Sequence, residues 1–224
     1  ISNFKRIRKK IIYKKMKNLI IFDYDGVLVD SFELNKRIYK DLSVEFNLDL
    51  PNNSDYYREL WELDWRETMK KLGLSTKEDF EKNYIIYSNG LKKYGSMVKP
   101  YDDIPEVLKS LSKKYKLAVV SNNFRDEIKN KLKEFNLLQF FDVTYGAEDG
   151  ELKPSPDMLI KCMKKLNIKP KNTSFIGDMD GDIQSGRAAK LGKIIAVTYG
   201  FHLKNKLMDA DIIIDNPIDL IKKF

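Results

Sequence analysis

Thiol and imidazole are almost missing from this chain of 224 residues: Cys162 is its one cysteine and His202 its one histidine. A single thiol closes no disulfide within the chain, and one Cys with one His falls short of the four ligands of a structural zinc site. A Ser-His-Asp hydrolase would rest on His202 alone, which follows the Gly200 turn and reads as a loop residue. Cys162 lies in Met158-Leu159-x-x-Cys162-Met163-x-x-Leu166, the spacing of a helix face turned to a core. Long apolar runs are missing too. Leu19–Phe22, Leu117–Val120 and Ile212–Ile214 are strand-length and far below the roughly 20 residues that span a bilayer. The expectation is a soluble cytoplasmic protein without a membrane partner, whose chemistry rests on carboxylates and a hard metal.

One acid-free stretch accounts for the net charge. Residues 1–17 carry Lys5, Arg6, Arg8, Lys9, Lys10, Lys14, Lys15 and Lys17 and no Asp or Glu, while the remainder holds 33 basic and 33 acidic residues. The whole net charge of +8 therefore belongs to this segment, read as a solvated, partly helical basic extension. A neutral body argues against nucleic acid as its partner. A nucleic-acid-associated protein working through the basic arm stands as the alternative of a different class, with a steep salt dependence as its mark. Met16, just before the first apolar run, is a candidate natural start. Both a monomer and a homodimer are compatible with the sequence.

Apolar runs ending in polar residues recur at Asn18–Asp23, Lys116–Ser121 and Thr173–Gly177, with further strands at Ile194–Val197 and Asp211–Ile214. Helical patterns lie between them, at about Asp103–Lys113, Arg125–Phe135, Pro156–Leu166, Asp180–Leu191 and Ile218–Lys223. Strand alternating with helix predicts an α/β fold with a Rossmann-like parallel sheet, whose ligands collect at the carboxyl ends of the strands. The stretch 32–100 breaks this rhythm with helices at about Phe32–Phe46, Ser54–Leu63, Trp65–Leu72 and Thr76–Tyr94. The expected organisation is a basic extension at 1–17, a core of 18–31 plus 101–224, and a small all-helical cap domain at 32–100 inserted after the first strand.

Asp23 and Asp25 end the first strand two residues apart, so their side chains project to the same side. Two carboxylates in one crevice repel, and a divalent cation that prefers hard oxygen, Mg²⁺, relieves them. Asp-x-Asp-Gly alone also describes turns and half of an EF-hand loop. The full run Asp23-Tyr24-Asp25-Gly26-Val27-Leu28-Val29-Asp30-Ser31 is more specific, and three further motifs follow in order: Ser121-Asn122-Asn123, Lys153-Pro154-Ser155-Pro156 and Gly177-Asp178-Met179-Asp180-Gly181-Asp182. Over residues 18–224 the chain resembles the haloacid dehalogenase-like hydrolase superfamily, and within it the phosphoglycolate phosphatase-like enzymes with a helical cap.

The resemblance implies a Mg²⁺-dependent phosphatase that acts on a small phosphorylated metabolite through an aspartyl-phosphate. Asp23 would be the nucleophile and Asp25 the general acid and base. Asp23, Asp178 and Asp182, with the Asp25 carbonyl, would serve the metal. Ser121 and the amide of Asn122 would bind phosphate oxygens, and Lys153 would offset charge at the nucleophile. Asp25 argues against a dehalogenase, which lacks this acid. Asn35 stands where the β-phosphoglucomutase subgroup carries a histidine, which weighs against that phosphomutase; a nucleotide or pyrophosphate phosphohydrolase is a further alternative. Phosphonate cleavage needs a Schiff-base lysine in the cap, and nothing around Lys70 or Lys71 indicates a desolvated amine. The turn Leu63-Asp64-Trp65-Arg66 is the candidate leaving-group contact, Arg66 gripping a carboxylate or second phosphate and Trp65 packing on it. The competing reading makes Trp61 and Trp65 core residues with Arg66 on the surface. Asp30 reads as a cap for the helix that follows.

Overall fold

In the computed structural model, which describes residues 18–224, six short strands form one parallel sheet. The basic extension at 1–17, Met16 included, lies outside the described residues. The strands are β1 (Leu19–Phe22), β4 (Lys116–Val120), β5 (Val143–Tyr145), β6 (Thr173–Gly177), β7 (Lys193–Val197) and β8 (Ile212–Ile214), in the order β5-β4-β1-β6-β7-β8. Two further strands, β2 (Val29–Asp30) and β3 (Lys99–Pro100), pair antiparallel apart from the sheet.

The central strand shows why the sheet is buried on both faces. Ile20 and Phe22 enter one apolar cluster and Leu19 and Ile21 another, so the two-residue side-chain period gives each face its own core. The first cluster is closed by helices α5 (Ile104–Leu111) and α6 (Arg125–Glu134), the second by α7 (Asp157–Leu166), whose Cys162 is fully buried as its spacing predicts. Helix α8 (Asp180–Ala188) packs Ile183 against Ile194 and Ala196 of β7.

Between β2 and β3 the chain forms four α-helices, α1 (Phe32–Glu45), α2 (Ser54–Leu60), α3 (Trp65–Lys71) and α4 (Lys77–Tyr94), the helical cap. The β2–β3 ribbon pairs Val29 with Pro100 and Asp30 with Lys99, so the outgoing and returning chains are tied side by side where the cap leaves the core. Helix α4 starts at a capping box in which Thr76 Oγ1 accepts the Asp79 N–H at 3.1 Å and the Asp79 carboxylate accepts the Thr76 N–H at 2.8 Å. Asp30 accepts the N–H of Phe32 at 3.1 Å, the helix-start role expected of it. Phe32, Tyr39, Tyr57, Leu60 and Trp61 of the cap region meet Met179 and Phe201 of the core in one aromatic cluster.

The sequence reading placed most elements within a few residues. It missed β5 and the two-residue strands of the ribbon, and it read an α-helix over Ile218–Lys223 where the chain forms a 3₁₀ helix, Pro217–Lys223. Among the described residues no helix is long and apolar enough to cross a membrane.

Candidate active site

Strand β1 delivers Asp23 at its carboxyl end, continued in register by the Asp23 N–H donating to the Ile176 carbonyl at 2.9 Å. Neighbouring strands end at the same edge, so Ser121 follows β4 and Asp178 follows β6. Gly26 reverses the chain after Asp25 with φ +71, a conformation L side chains avoid. A methyl group there would overlap the Asp178 carboxylate, and so would one at Gly200. Both glycines thus leave room for Asp178.

Asp23, Asp178 and Asp182 each offer a carboxylate oxygen within 4.8 Å of the others, and all three side chains are buried. Lys153 reaches into this group with its side chain wholly buried, Nζ standing 2.8 Å from Asp23 Oδ1 and 2.6 Å from Asp182 Oδ1. Backbone amides hold the rest. Asp178 Oδ2 accepts the Phe201 N–H at 2.6 Å. Asp182 Oδ2, in the first turn of α8, accepts the N–H groups of Asp178 at 3.2 Å and Met179 at 3.1 Å. Tyr24 donates its N–H to Asp23 Oδ1 at 2.7 Å.

Three carboxylates against one ammonium leave a buried excess of two negative charges when all are ionised. Burial and the neighbouring Asp182 and Asp25 charges push the Asp23 carboxyl up to about 7, with Lys153 opposing them. Burial, then the charges of Asp182 and Asp23, raise Asp178 well above the usual carboxylate range. Burial works against the Lys153 ammonium, yet Asp182 and Asp23 outweigh it and hold this lysine above its ordinary value. One divalent cation matches the excess in charge, and an all-oxygen donor set suits a hard ion. The residues present fit Mg²⁺.

Asp25 belongs to a second group. Its Oδ1 accepts from the Ser31 hydroxyl at 2.6 Å and its Oδ2 from Asn123 Nδ2 at 2.5 Å. Burial raises the Asp25 carboxyl, opposed by these two hydrogen bonds and by Lys153. Ser121 is buried and its Oγ accepts the Asn123 N–H at 3.2 Å. The Asn122 side chain clamps the peptide of Lys153, receiving its N–H at 2.8 Å and donating to its carbonyl at 3.0 Å. The second and third motifs are thereby locked together.

The structure gathers Asp23, Lys153, Asp178 and Asp182, sets Asp25 beside them, and joins Ser121 and Asn122 through Asn123 and Lys153. It does not bring Arg66 to them. Arg66 is exposed, pairs with Asp64 at 3.5 Å and lies 4.8 Å over the Trp65 ring. The ring of Trp65 meets Phe80 within the cap, while Trp61 is buried at 4% exposure against Phe32 and Phe201. The turn still touches the core, because Leu63 covers Gly181 at the start of α8.

Sequence reasoning passed over five participants. Ser31 and Asn123 stand at the ends of quoted motifs, and their polarity at a strand end was the available signal. The Phe201 amide carries no side-chain signal. Arg58 of α2 donates to the Gly200 carbonyl and lies 4.4 Å over the Phe32 ring, a contact between residues remote in sequence. His202 lies in a loop, as expected, yet it is wholly buried with both ring nitrogens engaged; burial holds its imidazole below the ordinary histidine value.

A parallel sheet with a carboxylate and lysine pocket at its carboxyl edge, closed by a helical cap, defines a phosphate-directed hydrolase class. Residues 20–197 match the haloacid dehalogenase-like hydrolase family, and the chain belongs to that family. It is 31% identical over 217 residues to a phosphoglycolate phosphatase of Aquifex aeolicus, covering 91% of this chain and 95% of the relative. It is 29% identical over 212 residues to the pyrophosphatase PpaX of Halalkalibacterium halodurans, covering 91% and 95% of the two chains. A haloacid dehalogenase-like family hydrolase from Streptococcus pneumoniae superposes with a TM-score of 0.81 at 21% identity, over 93% of this chain and 99% of that one, and so shares its fold. The chain is a phosphatase of this family.

Proposed function

We propose that the protein is a Mg²⁺-dependent phosphatase that hydrolyses a small phosphate monoester through an aspartyl-phosphate on Asp23. The observation that carries the reading is the buried pocket in which Lys153 is wedged between Asp23 and Asp182, with Asp178 completing the acidic set. Asp23, Asp178 and Asp182, with the Asp25 carbonyl expected beside them, would hold Mg²⁺, which supplies positive charge to the transferring phosphoryl oxygens.

Lys153 and the Tyr24 amide fix Asp23 Oδ1, and the second carboxylate oxygen attacks phosphorus. A bond forms from Asp23 to phosphorus as the bond to the leaving oxygen breaks. Asp25, whose carboxyl burial raises, gives that oxygen its proton when it is in the protonated form. As a carboxylate it then takes a proton from water, whose oxygen attacks the same phosphorus and frees inorganic phosphate and Asp23. Ser31 and Asn123 aim Asp25 in both steps, one on each oxygen. The Ser121 hydroxyl and the Asn122 amide bind phosphate oxygens while the Asn122 side chain keeps the Lys153 loop in place.

We read 18–31 and 101–224 as the core, 32–100 as the cap that excludes water and selects the leaving group, and 1–17 as a basic extension of a cytoplasmic enzyme. A phosphoglycolate-like substrate accords with the Aquifex aeolicus relative, and a sugar phosphate with the phosphorylated carbohydrates phosphatase of Thermotoga maritima, 24% identical over 198 residues. Hydrolysis of a pyrophosphate bond is the second reading, favoured by the PpaX relative. Asn35 spends its side chain on the Ser31 carbonyl at 3.0 Å, a helix contact that gives the phosphomutase reading no support. The test is a panel of phosphoglycolate, sugar phosphates and pyrophosphate with Mg²⁺ or with chelator, run beside Asp23→Asn. Phosphate release should need metal and vanish in the variant. Turnover without metal, or an active variant, would overturn the mechanism.

A further inference from the structure

His202 and its neighbours stand between the cap and the acidic pocket and touch both. On the pocket side, the Phe201 N–H donates to Asp178 Oδ2 at 2.6 Å and the His202 N–H to the Asp178 carbonyl at 3.3 Å. On the cap side, the segment reaches the last turn of α2. His202 Nε2 lies 3.0 Å from the Trp61 carbonyl. Lys206 Nζ donates to the Glu59 carbonyl at 2.9 Å and lies 3.4 Å from that of Arg58. Arg58 answers by donating to the Gly200 carbonyl.

The tautomer follows from the partners. Asp180 offers a backbone N–H to Nδ1 at 3.2 Å, and an amide can only donate, so Nδ1 must accept and the proton must sit on Nε2. Nε2–H therefore donates to Trp61. A side chain with no exposed surface is thus fully satisfied by one bond to the start of α8, between Asp178 and Asp182, and one bond to the carbonyls that end α2. Those carbonyls lack helical partners, which makes the end of α2 a natural handle. The same residue fixes Trp61, whose ring meets Phe201 at 5.1 Å and Phe32 at 5.0 Å.

We propose that His202 is a positioning residue of the phosphatase: as a neutral imidazole it couples the cap turn at Trp61 to the acidic loop at Asp180 and sets where the cap seats over the pocket. The proposal rests on the phosphatase reading above. It places His202 outside the reacting atoms, acting through Trp61 and the closed position of the cap.

Two substitutions split the two bonds. His202→Asn keeps an acceptor near the Nδ1 position and gives up the donor to Trp61; His202→Gln carries a donor amide to the Nε2 position and gives up the acceptor. In a Trp65→Phe background Trp61 is the sole indole, and its emission is read without metal or substrate. His202→Asn should shift that emission to the red and raise KM about fivefold to tenfold, the worth of one buried hydrogen bond, with kcat within about twofold. His202→Gln should restore both toward wild type. Lys206→Met, which removes a second tie to α2, should move emission and KM the same way by a smaller step, and it carries the test if His202→Asn does not fold. Unchanged emission and KM in His202→Asn, or an equal loss of kcat in both histidine variants without a KM change, would overturn the proposal. The emission arm is independent of turnover, so an inactive enzyme on every monoester would sink the phosphatase reading while leaving the coupling measured.

Discussion

The acidic edge of the sheet and the cap turn that faces it are built on opposite principles. At the edge, every carboxylate has named partners: Lys153 for Asp23 and Asp182, backbone amides for Asp178 and Asp182, Ser31 and Asn123 for Asp25. In the cap turn aromatic rings pack beside the hydrogen bonds of His202, Lys206 and Arg58, and two of the three buried polar side-chain atoms left without a partner among the described residues, Tyr57 OH and Trp61 Nε1, are found there. The third, Tyr24 OH, belongs to the core. Chemistry common to a family demands fixed geometry and is assembled in advance by strand ends. Selection of a leaving group demands a surface that moves, and aromatic packing re-seats at lower cost than a buried ion network. The charged pocket should therefore be intolerant, the cap forgiving.

Substitutions should separate the two regions in that order. Asp23→Asn should lose on the order of 10⁴-fold or more in kcat, measured as phosphate release with Mg²⁺, because the proposed mechanism makes Asp23 the nucleophile. Lys153→Met should lower kcat by about 10²-fold or more and cost about 3–5 kcal/mol in denaturant unfolding, since it strands Asp23 and Asp182 without their buried counter-charge. Asn123→Ala should lower kcat about tenfold and leave KM close to wild type, because Asp25 keeps only Ser31 to aim it. Arg66→Ala should change either constant by no more than about twofold, as expected for an exposed side chain paired with Asp64; a tenfold rise in KM would instead place Arg66 on the substrate in the closed enzyme.

The pocket also predicts a pH dependence of stability in chelated protein. Asp23 is raised from 3.8 to about 7, so across that window the folded state holds a proton that the unfolded state has released. Stability from this group is complete below the unfolded value and falls as pH rises through the folded one. The melting temperature should therefore drop between about pH 5 and about pH 7, less steeply in Asp23→Asn and less steeply with Mg²⁺. A rise across that window, matched in the variant, would show that the carboxylates are not strained by burial.

How much of this was legible follows from where each signal lies. Asp23, Lys153, Asp178 and Asp182 stand out in the sequence through the resemblance of their ordered motifs to the family, since Lys153, Asp178 and Asp182 taken singly read as a surface lysine, a cap and a solvated helix residue; the structure gathers all four at one sheet edge. Helix α8 was read through to Leu191 but ends at Ala188, with Lys190 taking φ +55 just beyond. Strand β5 was missed because its three residues at the sheet margin bury only Thr144 fully, too short a pattern to register. Trp61 was read inside a helix, yet α2 stops at Leu60 and Trp61 turns extended, which frees its carbonyl for His202. Arg58 and His202 escaped because their partners lie more than a hundred residues away, and no local pattern encodes such a pairing.

In the proposed mechanism Asp23 carries the phosphoryl group, and every other residue role depends on it. The direct measurement is mass spectrometry of enzyme quenched in acid during turnover of a monoester that it hydrolyses. The peptide containing Asp23 should gain the mass of one phosphoryl group, chased away by further incubation and absent from Asp23→Asn. Turnover in which that peptide stays unmodified while another residue carries the label would contradict it.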